Sequence, residues 1–357
     1  PSKWQNRRIV FFRLPEVWKN RQLSMGKSFV CLSWDFIEMT GKSYQPLKPW
    51  LDFHNQVKLL QSRGMVVDNS TRAEKYLQRI GYYRLSGYFH AFRQWDDTNQ
   101  ILLDHFMEGS NFESVLSLYL FDKKLRLSAL DALERIETAV RVDIVHCLGE
   151  ADPMAHRKPA CLHGNFTKKI NQKTGKTEYQ AWSERFDELE ARAKKRNLSL
   201  YHHNIQKYGC LPIWAAGCLW DFGTMSWLFS GMKYPDKNLI AQKYGAVNGD
   251  VFLGWLNGLN EIRNISAHHD RLWNANIERS APPIQKDSYW RQLDAKRPFF
   301  YFCIMQEMLR VLCPNSQWAD RFDAVLQEFP ADVKSSKVSL TRFGWFENYR
   351  EWDLWRK

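Results

Sequence analysis

Long apolar runs are missing from this sequence. The longest, Phe299 to Met305, falls far short of the roughly 20 residues a bilayer-crossing helix needs, so no membrane association is expected. Cysteine is sparse and unpatterned. Seven residues at irregular spacing, without a Cys-x-x-Cys pair, give neither a zinc knuckle nor a disulfide framework. An odd count, with no basic-then-apolar leader ending in small residues, suits a reducing cytoplasm. Internal repeats and low-complexity tracts are absent. So are a His-Glu-x-x-His motif and any helix-turn-helix pattern, which leaves a DNA-binding regulator without support.

What is present is a hydrophobic content of 44%, with aromatic residues spread along the chain, which excludes a disordered protein. Lys and Arg number 51 against 39 Asp and Glu, a formal charge of +12. That excess favours a polyanionic partner, most often nucleic acid, although a solvated basic surface gives the same count.

The densest chemistry lies between Glu261 and Asn274, where Arg263, Asn264, His268, His269, Asp270 and Arg271 follow one another without Gly or Pro. The run reads as one helix from about Phe252 through Leu272, capped by Asn248-Gly249-Asp250. On it Asn264 and His268 share a face, while Arg263 and His268 stand about 140° apart around the axis, so a second surface has to complete a site. The set suits phosphodiester cleavage without a metal. An imidazole can take the proton of an RNA 2′-hydroxyl or give one to the leaving 5′-oxygen, and a guanidinium can hold the phosphate as charge builds. Spacing alone is weak, because Arg141 and His146 repeat it.

Further blocks precede this one in order: Ile80-Gly81-Tyr82-Tyr83-Arg84-Leu85-Ser86-Gly87-Tyr88; Phe121-Asp122-Lys123-Lys124-Leu125-Arg126 leading to Ala132 through Glu137; and Leu211-Pro212-Ile213-Trp214 with Leu219 through Thr224. Together with Arg263-Asn264-x-x-x-His268-His269-x-Arg271-Leu272-Trp273-Asn274, and with Phe346 through Glu351 in the tail, they resemble the abortive-infection Abi family (the AbiD/AbiF type), whose core is a HEPN ribonuclease fold. The resemblance covers about Tyr44 to the C-terminus.

That resemblance implies an all-α protein, a HEPN-type helical bundle with an N-terminal helical module and a basic insertion. Residues 1–43 are expected to be a basic N-terminal extension, with eight Lys or Arg against three Asp or Glu, either foreign to the fold or a basic arm. Residues 44–110 form the helical module. Residues 111–330 form the HEPN-like core, with the basic insertion at about 150–210, and residues 331–357 form an aromatic tail docked on the core or on a partner. A long helix, or two joined end to end, is expected from Phe112 to about Leu148, its stripe running through Leu133, Ile136, Val140 and Ile144. Pro212 should open an apolar helical stretch packed against the Arg263 helix, with Asp221 as a cap or an orienting group.

The implied activity is a metal-independent endoribonuclease of phage defence or a toxin–antitoxin system, leaving a 2′,3′-cyclic phosphate. His268 would be the general base or acid, Arg263 would hold the phosphate, and Asn264 would orient the imidazole or donate to a phosphate oxygen. His269 and Asp270 are secondary candidates, and Arg141 with His146 a possible second set. Arg84, Arg93, Arg135, Lys168, Lys169 and Arg271 are candidate RNA contacts. The Tyr and Phe residues between Gly81 and Phe92 could stack bases or simply build core. A metal cluster of His202, His203, His268, His269 and Asp270 has no ligand spacing to support it, so neither metal nor cofactor is expected beyond a bound small non-coding RNA. The facing surface would come from a homodimer. The competing expectation is a non-catalytic RNA-binding protein of the same fold.

Overall fold

The computed structural model describes residues 47–284, 286–330 and 338–356. The chain divides into two units at Trp50 and Leu51. Of the first, only residues 47–50 are described, exposed and without regular structure. The extension expected over residues 1–43 lies outside the described residues.

From Leu51 onward local signals set the helix boundaries. The Asp52 and Asn69 side chains accept from the backbone N–H groups of Asn55 and Arg72, opening α1 (Phe53–Ser62) and α2 (Ser70–Ile80) by satisfying amides that have no helical partner. Gly81, at φ +90°, turns the chain into α3 (Tyr82–Phe89), a conformation glycine adopts without a Cβ penalty. An antiparallel hairpin that the sequence reading did not anticipate follows, β1 (Arg93–Asp96) with β2 (Ile101–Phe106). Its turn is fastened by the Asp96 carboxylate, which accepts from the backbone of Thr98 and Asn99.

The mast of the molecule is α4 (Phe112–Ala151), one continuous helix of 40 residues. Leu118, Phe121, Leu125, Ala129, Leu133, Ile136, Val140, Ile144 and Leu148 line its buried side at three-four spacing. Beyond it come α5 (Gly164–Lys168), the hairpin of β3 (Ile170–Asn171) and β4 (Lys176–Thr177), α6 (Glu178–Lys195), α7 (Ser199–Tyr208), α8 (Ile213–Gly217), α9 (Phe222–Ser230) and α10 (Tyr234–Lys243). The last elements are α11 (Gly249–Ala267), α12 (Ser288–Gln292), α13 (Pro298–Leu312) and α14 (Trp318–Gln327), followed by 3-10 turns at Leu340–Phe343 and Glu347–Glu351. Two short hairpins are the only sheets among the described residues, and the protein is all-α. None of these helices is long and apolar enough to cross a membrane.

Helices α3, α8, α10, α11, α13 and α14 all pack on α4. The stretch read as a basic insertion is joined to this body, since Trp182, Phe186, Leu189 and Ala193 of α6 are buried and the Trp182 indole donates to the Thr224 carbonyl at 2.9 Å. Helix α11 passes so close to α13 that a Cβ at Gly258 would run into the Tyr301 ring. The aromatic tail docks on the core, where Trp355 stacks on Phe299 with centroids 6.0 Å apart.

Under α6 lies an unusual core residue. His156 is buried edge-on against Phe186 (centroids 5.4 Å), and neither ring nitrogen has a partner. Burial, with a smaller contribution from Arg157, lowers its pKa to about 4. Because the folded value lies below the unfolded one of about 6.5, the unfolded chain binds more protons between the two, and stability is lost as pH falls through that window. Lowering the pH from 7 to 5 is expected to remove about 2 kcal/mol through this residue. Thermal melts at the two pH values should show His156→Phe losing less Tm on acidification than the wild type; equal losses would contradict this account.

Candidate functional site

Helix α11 carries the Arg263–His268 stretch and begins where Asn248 accepts from the N–H groups of Asp250 and Val251. It ends at Ala267, five residues short of the Leu272 end expected from the sequence. The His269 N–H donates to the Ser266 carbonyl (3.2 Å) and the Asp270 N–H reaches back to Ile265 (2.9 Å), while His269 sits at φ +62°. This is a Schellman ending with a histidine at the left-handed position where glycine is usual. His268 is therefore the C-cap, and His268, His269 and Asp270 are all exposed on the turn rather than in mid-helix.

A bracket from the two upstream blocks holds that turn. Asp122 of α4, fully buried, accepts from the N–H groups of Leu272 (3.1 Å) and Trp273 (2.7 Å). The same carboxylate pairs with Arg126 one turn along α4 and accepts from the Tyr88 hydroxyl at 2.5 Å. Arg126 also donates to the Asp270 carbonyl (3.2 Å). From α3, Arg84 donates to the His269 carbonyl (2.5 Å), and Arg271 returns a hydrogen bond to the Gly87 carbonyl. Burial pushes the Asp122 carboxyl above its ordinary range, and Arg126, Tyr88 and the two backbone N–H groups pull against that rise. Burial likewise drives the Tyr88 hydroxyl well above its usual value, with the Asp122 charge adding to the effect.

Beside the turn, Arg263 and Asn264 line an open cavity of about 710 Å³ between α6, α9 and α11. Asn257, Asn260, Trp227, Arg185, Arg279 and Asp221 also face it. Arg263 donates to the Asn264 amide oxygen (3.2 Å) and has no carboxylate partner among the described residues. The motif's first residue, Glu261, accepts from the backbone N–H groups of Glu278 and Arg279, both at 2.9 Å, and so brings Arg279 to the rim. Asp221 is the N-cap of α9 and pairs with Arg185 (2.8 Å). Burial raises its carboxyl, but the Thr224 hydrogen bonds and Arg185 outweigh that and hold it below the usual range.

The other candidates lie elsewhere. Arg141 pairs with Glu137 and donates to the Trp220 carbonyl (3.1 Å). With the exposed His146 it lines a separate cavity of about 640 Å³ that shares no residue with the first. Arg84 and Arg271 spend hydrogen bonds on backbone carbonyls at the bracket. Arg93 pairs with Asp104 (3.2 Å), and Arg135 bonds Asp131 and Ser316. Lys168 and Lys169 are exposed at the end of α5. His202 and His203 sit on α7, and among the described residues no three His, Cys, Asp or Glu gather as a metal site.

Sequence reasoning assigned no role to Asp122, Arg126, Asn257, Asn260 or Arg279, and read Tyr88 only among the aromatic residues that could stack bases or build core. The spacing Asn257, Asn260, Asn264 on one helix was the available signal for an amide-lined face. Replacing Asp122 by Ala would strand a buried guanidinium and two backbone N–H groups, a change that costs about 3–5 kcal/mol in comparable buried pairs. Amide exchange at Leu272 and Trp273 should accelerate, and the Tm should fall. Unchanged exchange at those two amides would show that the bracket does not hold the turn.

A family model described as Abi-like protein matches residues 75–274, more than half of the chain. No curated protein and no solved structure matches it. The matched span contains α3 and α4 with the bracket they supply, the cavity-lining part of α11 and the turn at His268, and by that match the chain belongs to the Abi-like protein family.

Proposed function

We propose that the protein is a metal-independent endoribonuclease of HEPN type that acts in abortive infection, as a phage-defence nuclease or toxin in the cytoplasm. The observation that carries this reading is that α11 presents both groups within five residues, each at an accessible position. Arg263 opens on a polar cavity and has no carboxylate partner among the described residues, while His268, which does not line that cavity, stands exposed at the end of the same helix on a turn braced from α3 and α4. Membership of the Abi-like family supports the same conclusion.

The chemistry follows from these side chains. His268 removes the 2′-hydroxyl proton or protonates the departing 5′-oxygen, and Arg263 meets the phosphate with fixed donors as charge accumulates. Asn264, already an acceptor for Arg263, orients that guanidinium. Because one imidazole serves one face of the phosphate, a second copy of the chain supplies the opposing surface. A small non-coding RNA that directs or restrains the nuclease fits the net charge of +12.

Cleavage of single-stranded RNA in EDTA is expected to leave 2′,3′-cyclic phosphate and 5′-hydroxyl ends. His268→Ala should lower the rate about 100-fold or more, and Arg263→Ala should do likewise, with RNA affinity retained for His268→Ala. Wild-type cleavage by His268→Ala would sink the assignment. Tight RNA binding without cleavage by the wild type would instead make the protein an RNA-binding relative of the same fold.

A further inference from the structure

The cavity beside Arg263 is lined by more polar groups than phosphate positioning needs. Asn257, Asn260 and Asn264 follow at intervals of three and four, so their amides rise along one face of α11. Asn257 and Asn260 are half-buried, and no hydrogen bond engages either amide within the described residues. Each carries two donors and an acceptor, a set that pairs with the edge of a nucleobase. Across from them α9 is stripped of bulk at Gly223, where a Cβ would stand 3.5 Å from the Asn260 amide nitrogen.

Flat and charged surfaces complete the enclosure. The Trp227 indole is pinned by its N–H to Glu178 (3.0 Å), leaving a fixed aromatic ring in the wall. Both carboxylates in the lining are engaged, Glu178 by Trp227 and Asp221 by Arg185 and the Thr224 N–H. Arg263 and Arg279 have no such partner among the described residues. A volume of about 710 Å³ falls inside the range of roughly 300–1,000 Å³ typical of small-ligand pockets.

We propose that this cavity holds one unpaired nucleotide of an RNA strand, with Asn257 and Asn260 reading its base edge and Arg279 and Arg263 meeting its flanking phosphates. The inference rests on RNA being the ligand in the reading above and adds to it a base-selecting pocket next to the scissile position. Selection then comes from hydrogen bonding in the pocket, while the arginines contribute affinity without regard to base.

Binding is measured apart from cleavage, by fluorescence anisotropy of the full chain with 2′-fluoro single-stranded oligomers, which cannot form the cyclic phosphate. One oligomer is used for each base, set in a common mixed background. The wild type should prefer one base by about 10-fold or more. Asn257→Leu and Asn260→Leu should each weaken that oligomer by about 5-fold to 150-fold, as loss of a good bidentate base contact does, and leave the poorest binder unchanged, flattening the preference. Asn257→Gln, which keeps the amide, guards against a folding artefact and should retain part of it. Arg279→Gln should weaken all oligomers alike and reduce the salt slope by about one.

Equal affinity of the wild type for all bases, or losses in the Asn variants that are uniform across oligomers, would overturn the proposal. So would free 5′-mononucleotides whose binding depends on Asn257 and Asn260 while oligomer binding does not, which would assign the cavity to a free nucleotide. Base-selective binding without cleavage would sink the nuclease reading and leave the pocket standing. Cleavage with base-indifferent binding would sink the pocket alone.

Discussion

The structure depends on one buried carboxylate. Asp122 lies at the heart of the bundle with no exposed surface, where an isolated charge would be very unfavourable. It is tolerable because Arg126, the Tyr88 hydroxyl and the N–H groups of Leu272 and Trp273 all converge on it. Those partners come from α3, from α4 and from the loop after α11, far apart in sequence. Removing any one leaves the others with an unsatisfied buried group, so the docking of each of the three segments favours that of the others. The turn carrying His268 and His269 thereby inherits the rigidity of the 40-residue helix α4.

This constraint explains why a histidine can occupy the left-handed position that ends α11. A side chain at φ +62° is strained relative to glycine there. Arg84 on the His269 carbonyl and Arg126 on the Asp270 carbonyl over-determine the local conformation. The strain goes with an adjacent pair of imidazoles displayed on the surface instead of a glycine stop. Arginines that look like polyanion contacts in the sequence are therefore partly structural: Arg84 and Arg271 grip backbone carbonyls, whereas Arg263 and Arg279 face open space. Net charge could not distinguish arginines that hold the fold from those that line an open cavity.

Local chemistry was legible at the helix starts and along the long apolar stripe. Asn248 caps α11, Asp221 takes the first of its two expected roles as the cap of α9, and the apolar stripe of α4 runs through Leu133, Ile136, Val140 and Ile144 as its periodicity requires. The hairpin of β1 and β2 went unseen, because its strands are short and its turn is fixed by a side chain, Asp96, rather than by a glycine pair. The end of α11 was placed too late for a related reason: the usual stop signal was replaced by a histidine held from outside the helix.

Sequence by itself determined the caps, since capping needs only interactions within a turn or two of the chain, and through the family resemblance it singled out the helical class and the candidate residues from Arg263 to His268. Tertiary structure alone decided that Arg263 and Asn264 open on a cavity shared with α6 and α9. It also decided that Arg141 and His146 face a different one, and that Tyr88 and Asp122 join in bracing the turn after α11. Those facts rest on hydrogen bonds spanning up to 185 residues of chain. A buried polar group takes whatever partner the packing delivers, and no local pattern in the sequence records which one that will be.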